Sequence, residues 1–149
     1  MATQRTFTML KPGVLQRRIA GEILSRLERK GLRILAMKMI RITPDLAATH
    51  YDEHREKPFF ADLTGYITSG PVIAMVLEGE EAISRVRLLC GATKVEEALP
   101  GTIRGDYATQ TQLNIVHASD APETAAREID LFFTDDEIIE YEDGNAEWY

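Results

Sequence analysis

Gly70-Pro71-Val72-Ile73-Ala74-Met75-Val76-Leu77-Glu78-Gly79 sets an unbroken apolar run, Val72–Leu77, between a Gly-Pro turn and a second glycine. A strand that is apolar on both faces must be covered on both faces, so this run reads as a buried central strand. Upstream, Thr43-Pro44-Asp45 combines an N-cap residue, a proline at the first helical position and an acid in the first turn, which predicts a helix towards Tyr51. A second short helix is expected from near Pro58-Phe59-Phe60 to just before Gly70. Leu32–Ile42 is rich in Leu, Ile and Met and reads as a strand, as does the alternating Arg5–Leu10, which ends at the turn signal Lys11-Pro12-Gly13. Between those two strands Ile19, Ile23, Leu24 and Leu27 recur at helical spacing, with Gly31 at the C-cap position.

Downstream, Ala82, Ile83, Val86 and Leu89 share one helical face within Glu80–Cys90. Residues 92–112 show no period and contain Pro100, Gly101 and Gly105; an irregular stretch this long in a compact domain is usually functional or disordered. Leu113–His117 reads as a short strand. Asp120 and Glu123 have capping-box spacing before a helix carrying Ala125, Ile129 and Phe132. Strands alternating with helices lean towards a doubly wound parallel sheet. They leave open an antiparallel sheet with helices packed on it.

The 149 residues fit one domain, 1–149, without repeats or linkers. With 44% hydrophobic and 28% charged residues, no membrane span and no apolar leader, the expectation is a cytoplasmic protein. The single cysteine, Cys90, allows no intrachain disulfide and agrees with a reducing compartment. The net charge of -7 is unevenly distributed. All 17 Lys and Arg lie in 1–127 with 15 acids, so that body carries +2, while residues 128–149 hold nine acids and no base. The acidic tail, from about residue 134, reads as a solvated C-terminus. A body so weakly basic gives little support to specific nucleic-acid binding.

His117 stands at a strand end before a helix N-terminus, where free amides favour anions and where an imidazole can act as a nucleophile that holds a phosphoryl group. Alone, it is equally a hydrogen-bonded structural histidine. His50 and His54 have the spacing of two metal ligands on a helix, but Tyr51 stands where the metalloprotease arrangement has its Glu, and they read as surface residues. Lys11, Arg87 and Arg104 form a scattered set of cations suited to neutralising a phosphate. Arg104 is singled out because Gly101 and Gly105 flank it and permit close approach of backbone to ligand. Neither a P-loop nor a dinucleotide G-x-G-x-x-G occurs.

These segments resemble, in order and at family spacing, the signature stretches of the nucleoside diphosphate kinases. They are Arg5-Thr6-Phe7 with Leu10-Lys11-Pro12, His50-Tyr51, Lys57-Pro58-Phe59-Phe60, Thr68–Val72, Pro100–Asp106 and Asn114-Ile115-Val116-His117-Ala118-Ser119-Asp120. The resemblance implies a ferredoxin-like α/β sandwich of the α+β class with a four-stranded antiparallel sheet, against the parallel lean. It implies a ping-pong reaction through a phosphohistidine at His117, on the pros nitrogen, with nucleoside triphosphates and diphosphates as substrates. It also implies Mg2+ carried on the nucleotide phosphates, with no protein ligand to the metal. Lys11, Tyr51, Arg87, Thr93 and Arg104 would meet phosphates, Lys11 also the sugar, and Asn114 the ribose hydroxyl. Phe59 would stack on the base, which tolerates many bases because each has an apolar face. Glu128 would hydrogen-bond His117 and select its tautomer, with Ser119 supporting that pair.

The family forms hexamers or tetramers, and the tail ending Glu147-Trp148-Tyr149 resembles the hexameric forms. Departures from the usual pattern fall at Gly13-Val14, Lys94-Val95, Thr111–Leu113 and Ala118. None is a residue assigned to chemistry. Two other readings compete: a binding module on the same fold without the chemistry, and a scaffold acting through its tail.

Overall fold

The computed structural model describes residues 2–149. Strands β1 (Thr3–Leu10), β2 (Arg33–Ile40), β3 (Val72–Glu80) and β4 (Val116–Ala118) form one sheet in the order β2-β3-β1-β4, each neighbouring pair antiparallel. Six α-helices accompany it: α1 (Ala20–Arg29), α2 (Pro44–His50), α3 (Phe60–Ile67), α4 (Ala82–Cys90), α5 (Ile103–Tyr107) and α6 (Pro122–Phe132).

The lean towards a parallel sheet is thereby corrected, and the sandwich implied by the resemblance stands. The reason lies in what a crossover fixes. β1 and β2, joined by α1, both run against β3 and so point the same way; β3 and β4, joined by α4, both run against β1. A helical crossover sets the relative direction of the strands it joins but not their adjacency. Here an opposed strand separates each pair.

The central strands are covered on both faces, as Val72–Leu77 requires. One layer gathers Leu10, Met75 and Leu77 with Ile23 and Leu27 of α1 and Val86 of α4. The other gathers Phe7, Met9, Ala74 and Val76 with Ala47 of α2, Ile67 of α3 and Phe132 of α6. Phe7 stacks on Phe132 at 4.6 Å between centroids, and burying each such side chain contributes about 1.5–3 kcal/mol. The cap at Thr43 forms, its hydroxyl accepting from the Leu46 N–H at 3.2 Å, and Gly31 takes the left-handed φ of +87° just past α1.

Four local expectations change. Residues 92–112 are not without structure: they hold a 3₁₀ turn at Val95–Glu97 and α5, whose N-cap Thr102 accepts from the Gly105 N–H. One turn is too short to show a period. The expected strand at 113–117 shrinks to β4, because Thr111–Leu113 is a 3₁₀ turn and Ile115 is left-handed at φ +62°. The helix cap falls on Ala121 with Pro122 at the first position, so Asp120 and Glu123 form no capping box. The acidic tail is exposed in most of its side chains yet tied to β2: the Ile139 N–H donates to the Leu35 carbonyl at 2.9 Å and the Tyr141 hydroxyl to the Ile34 carbonyl at 2.8 Å. Lys38–Glu137 and Arg5–Glu140 ion pairs add to the strap. Two of the departing segments bond each other, the Val95 N–H donating to the Thr111 hydroxyl at 3.0 Å. Among the described residues no helix is long and apolar enough to cross a membrane.

Candidate active site

Among the described residues β4 pairs only with β1, and its register puts His117 opposite Met9. The strand ends one residue later, at Ala118; the Ser119 N–H still donates to the Phe7 carbonyl, and the chain turns into α6. That turn brings Glu128, two helical turns into α6, back under the imidazole. His117 Nε2 lies 2.9 and 2.8 Å from the two carboxylate oxygens of Glu128. The Ser119 hydroxyl donates to Glu128 Oε1 at 2.6 Å. Glu128 is 2% exposed, so it is not a solvated helix residue. Burial pushes its pKa up, but the bonds from His117 and Ser119 outweigh this and hold it below the ordinary value. A buried carboxylate that accepts from Nε2 keeps the proton on that nitrogen and leaves the Nδ1 lone pair free.

The opposite wall is cationic. Lys11 follows β1, is 6% exposed, and donates from Nζ to Asn114 Oδ1 at 2.8 Å. Its pKa falls to about 7 through burial and then through neighbouring Arg104. Arg104 spends three donors on backbone carbonyls: Nε on Asn114 at 3.2 Å, Nη1 on Gly91 at 2.8 Å and Nη2 on Val116 at 2.7 Å. Its plane is therefore fixed while its charge meets no carboxylate among the described residues. Arg87, in the last turn of α4, donates to the Ala118 carbonyl at 3.0 Å. The glycine beside Arg104 acts differently from expectation. A Cβ on Gly105 would lie 1.9 Å from the Leu99 carbonyl oxygen, so Gly105 lets α5 pack on the preceding loop rather than on a ligand.

Between these walls lies a cleft of about 290 Å³ lined by His117, Glu128, Lys11, Tyr51, Arg87, Thr93, Arg104 and Asn114, with Phe59 also on its wall. Ser119 lies behind it, fully buried, and reaches it only through Glu128. The structure thus gathers all ten residues singled out in the sequence around one cavity. Phe59 is 44% exposed; it is Phe60 that packs into the core. A neighbouring, more apolar cavity of about 650 Å³ continues from Phe59 past Tyr66 to Leu113.

His50 corrects the sequence reading outright. It is 3% exposed, not a surface residue, and its ring meets that of His117 edge-on at 4.8 Å. Burial, then His117, lower its pKa to about 3. His54 also lines the cleft, its Nε2 3.5 Å from Glu53. A signal was present: Ala47 and His50 are three apart and form the buried face of α2. Arg127, Asp120 and Leu113 also line the cavities and were missed. Arg127 and Asp120 are ordinary surface types in sequence and Leu113 reads as part of a strand; the turn into α6 and the 3₁₀ turn bring them to the cavities.

A histidine with one nitrogen committed to a buried carboxylate, facing cations that lack acids, defines a phosphate-handling site on a ferredoxin-like sandwich. The chain belongs to the nucleoside diphosphate kinase family, whose model matches residues 4–138. A nucleoside diphosphate kinase of Treponema pallidum is 57% identical over 149 residues, all of both chains. One from Archaeoglobus fulgidus is 58% identical over 145 residues, covering 97% of this chain and 96% of its own. Among solved structures, a halophilic nucleoside diphosphate kinase from Halobacterium salinarum in complex with CDP superposes with a TM-score of 0.95 at 48% identity, covering 99% and 98% of the two chains. That from Aquifex aeolicus gives 0.90 at 45% identity, covering 93% of this chain and all of its own.

Proposed function

We propose that this nucleoside diphosphate kinase transfers the γ-phosphate of a nucleoside triphosphate through a phosphohistidine at His117 Nδ1. The observation that carries the reading is the pair of contacts from His117 Nε2 to Glu128, which leaves Nδ1 as the one ring nitrogen with a free lone pair. The Nδ1 lone pair forms the N–P bond as the P–O bond to the β-phosphate breaks, and the electron pair departs with the diphosphate. Nε2 keeps its proton throughout, and Glu128 offsets the positive charge that develops on the ring. A second diphosphate then reverses the step: its terminal oxygen takes the phosphoryl group and frees Nδ1.

Arg104, Arg87 and Lys11 neutralise the transferring group, with Tyr51 and Thr93 completing the phosphate contacts. Asn114, already bonded to Lys11, binds the ribose hydroxyl. Phe59 supplies the stacking face, and Leu113 across the adjoining cavity supplies the second apolar wall. Nucleotide kinases generally use a divalent metal. Mg2+ fits here as an ion borne by the nucleotide: Glu53 and Asp120 are oxygen groups on the cleft wall, whereas the clustered ligand set is rich in imidazole and unsuited to it. Bound there, it would neutralise phosphate charge. Residues 1–149 act as one catalytic domain in the cytoplasm, as a homo-oligomer, hexameric rather than tetrameric; Met37 and Met39, exposed on edge strand β2, support self-association.

Incubation with γ-labelled ATP tests the mechanism. The expected result is an acid-labile, alkali-stable label on the chain that GDP discharges as GTP. Equal labelling of His117→Ala, or no label on the intact protein, would sink it.

A further inference from the structure

His50 poses a problem that phosphoryl transfer does not solve. Neither of its ring nitrogens has a hydrogen-bond partner among the described residues, although the side chain is 1% exposed. An unsatisfied buried polar group ordinarily costs about 1–3 kcal/mol. Its Nδ1 lies 3.5 Å from Glu128 Oε2, beyond hydrogen-bond length but facing the carboxylate that already holds His117. His50, His117 and Glu128 each present one ligand atom, and all three atoms lie within 4.8 Å of one another.

We propose that His50, His117 and Glu128 form an inhibitory binding site for a zinc-type divalent cation, which competes with phosphorylation of His117. Two imidazoles and a carboxylate are the ligand set that borderline metals favour, leaving a fourth position open. With metal–ligand distances near 2.0–2.2 Å, tetrahedral ligands stand about 3.3 Å apart, so shifts under about 1 Å in each ring bring this cluster to coordination. His117, the most exposed of the three, gives access from the cleft. Magnesium is excluded by the same chemistry, since it demands oxygen ligands in an octahedron.

The consequence follows from the tautomer and rests on the reading of His117 Nδ1 as nucleophile. A metal on Nε2 takes that nitrogen's lone pair, and the single proton of the neutral ring moves to Nδ1. The lone pair that has to attack phosphorus is then gone, with no net loss of a proton. A transition metal thus switches the enzyme off by reversing the tautomer that Glu128 otherwise enforces.

Binding is measured on the whole chain without nucleotide, which separates it from the activity. Titration with Co2+ is expected to give intense visible bands of tetrahedral cobalt at one ion per chain, displaced by Zn2+ and untouched by millimolar Mg2+. His50→Gln should weaken Co2+ at least about tenfold and remove Zn2+ inhibition of His117 labelling. Imidazole 15N spectra of the unmodified chain, which need no variant to fold, should show Zn2+ shifting one nitrogen each of His50 and His117 while leaving His54. Absent bands, bands unchanged by His50→Gln, or shifts confined to His54 would overturn the site. Loss of labelling without any metal would overturn the phosphohistidine reading instead.

Discussion

On one side of the cleft His117, Ser119 and Glu128 satisfy one another, carboxylate against two donors. On the other, Lys11 and Arg104 are buried with no carboxylate in ion-pair range among the described residues. The first wall is complete as folded. The second is electrostatically incomplete, at a cost in folding that a phosphate bound as proposed would offset. A site for moving phosphate between nucleotides needs both: a nucleophile set in one tautomer beforehand, and charge that only the substrate can balance.

Four measurements break or sharpen this contrast. Arg104→Ala is expected to lower kcat/KM by about 10³-fold, as loss of a phosphate-clamping arginine does. It should also lower Tm, because three carbonyls lose their donor. Undiminished activity per folded molecule would remove Arg104 from the phosphate wall. Glu128→Gln is expected to lower kcat by about 10²-fold with little change in KM, since it keeps the shape and loses the charge facing the ring. A change confined to KM would mean that Glu128 shapes the nucleotide site rather than the nucleophile. Phe59→Ala should raise KM about tenfold and similarly for purine and pyrimidine nucleotides, the mark of stacking. A strong base preference in that loss would contradict it.

The smallest effect is a pH slope in apo stability. Lys11 holds its proton only to about pH 7 when folded and to about 10.4 when unfolded. Between those values the unfolded chain binds more protons, so the contribution of Lys11 to stability rises with pH, by at most about 1.4 kcal/mol per pH unit. Lys11→Met should remove that slope. Bound nucleotide should suppress it in the unmodified chain, because phosphate keeps the amine charged. Denaturant midpoints across pH 7 to 10 that are identical in both chains would show that Lys11 carries no such strain.

How far the sequence could be read follows the range of the interactions involved. Thr43-Pro44 and Gly31 act within one helical turn, and the cap and the stop form where they were expected. The apolar run Val72–Leu77 demanded cover on both faces and received it. Four residues came forward on their own chemistry, and the family resemblance raised the candidates for one site to ten. The local misreadings come from one-turn elements and a displaced cap, which carry no period; those that bear on the site are long-range. Arg104's glycine neighbour faces Leu99 rather than a ligand, His50 is held by β1, β4 and α6 around it, and the tail's backbone finds β2 across a sheet edge.

By itself the sequence determined most of the strands and helices and that helix-linked strands run in the same direction, and it brought forward the candidate side chains for the chemistry. Only the tertiary structure decided that a strand of opposite direction slots between each such pair. Only it placed Glu128 under His117, and left Lys11 and Arg104 buried without acids. Local periodicity and caps are written in neighbouring residues, whereas adjacency in a sheet and the charge balance of a cleft depend on which distant segments meet.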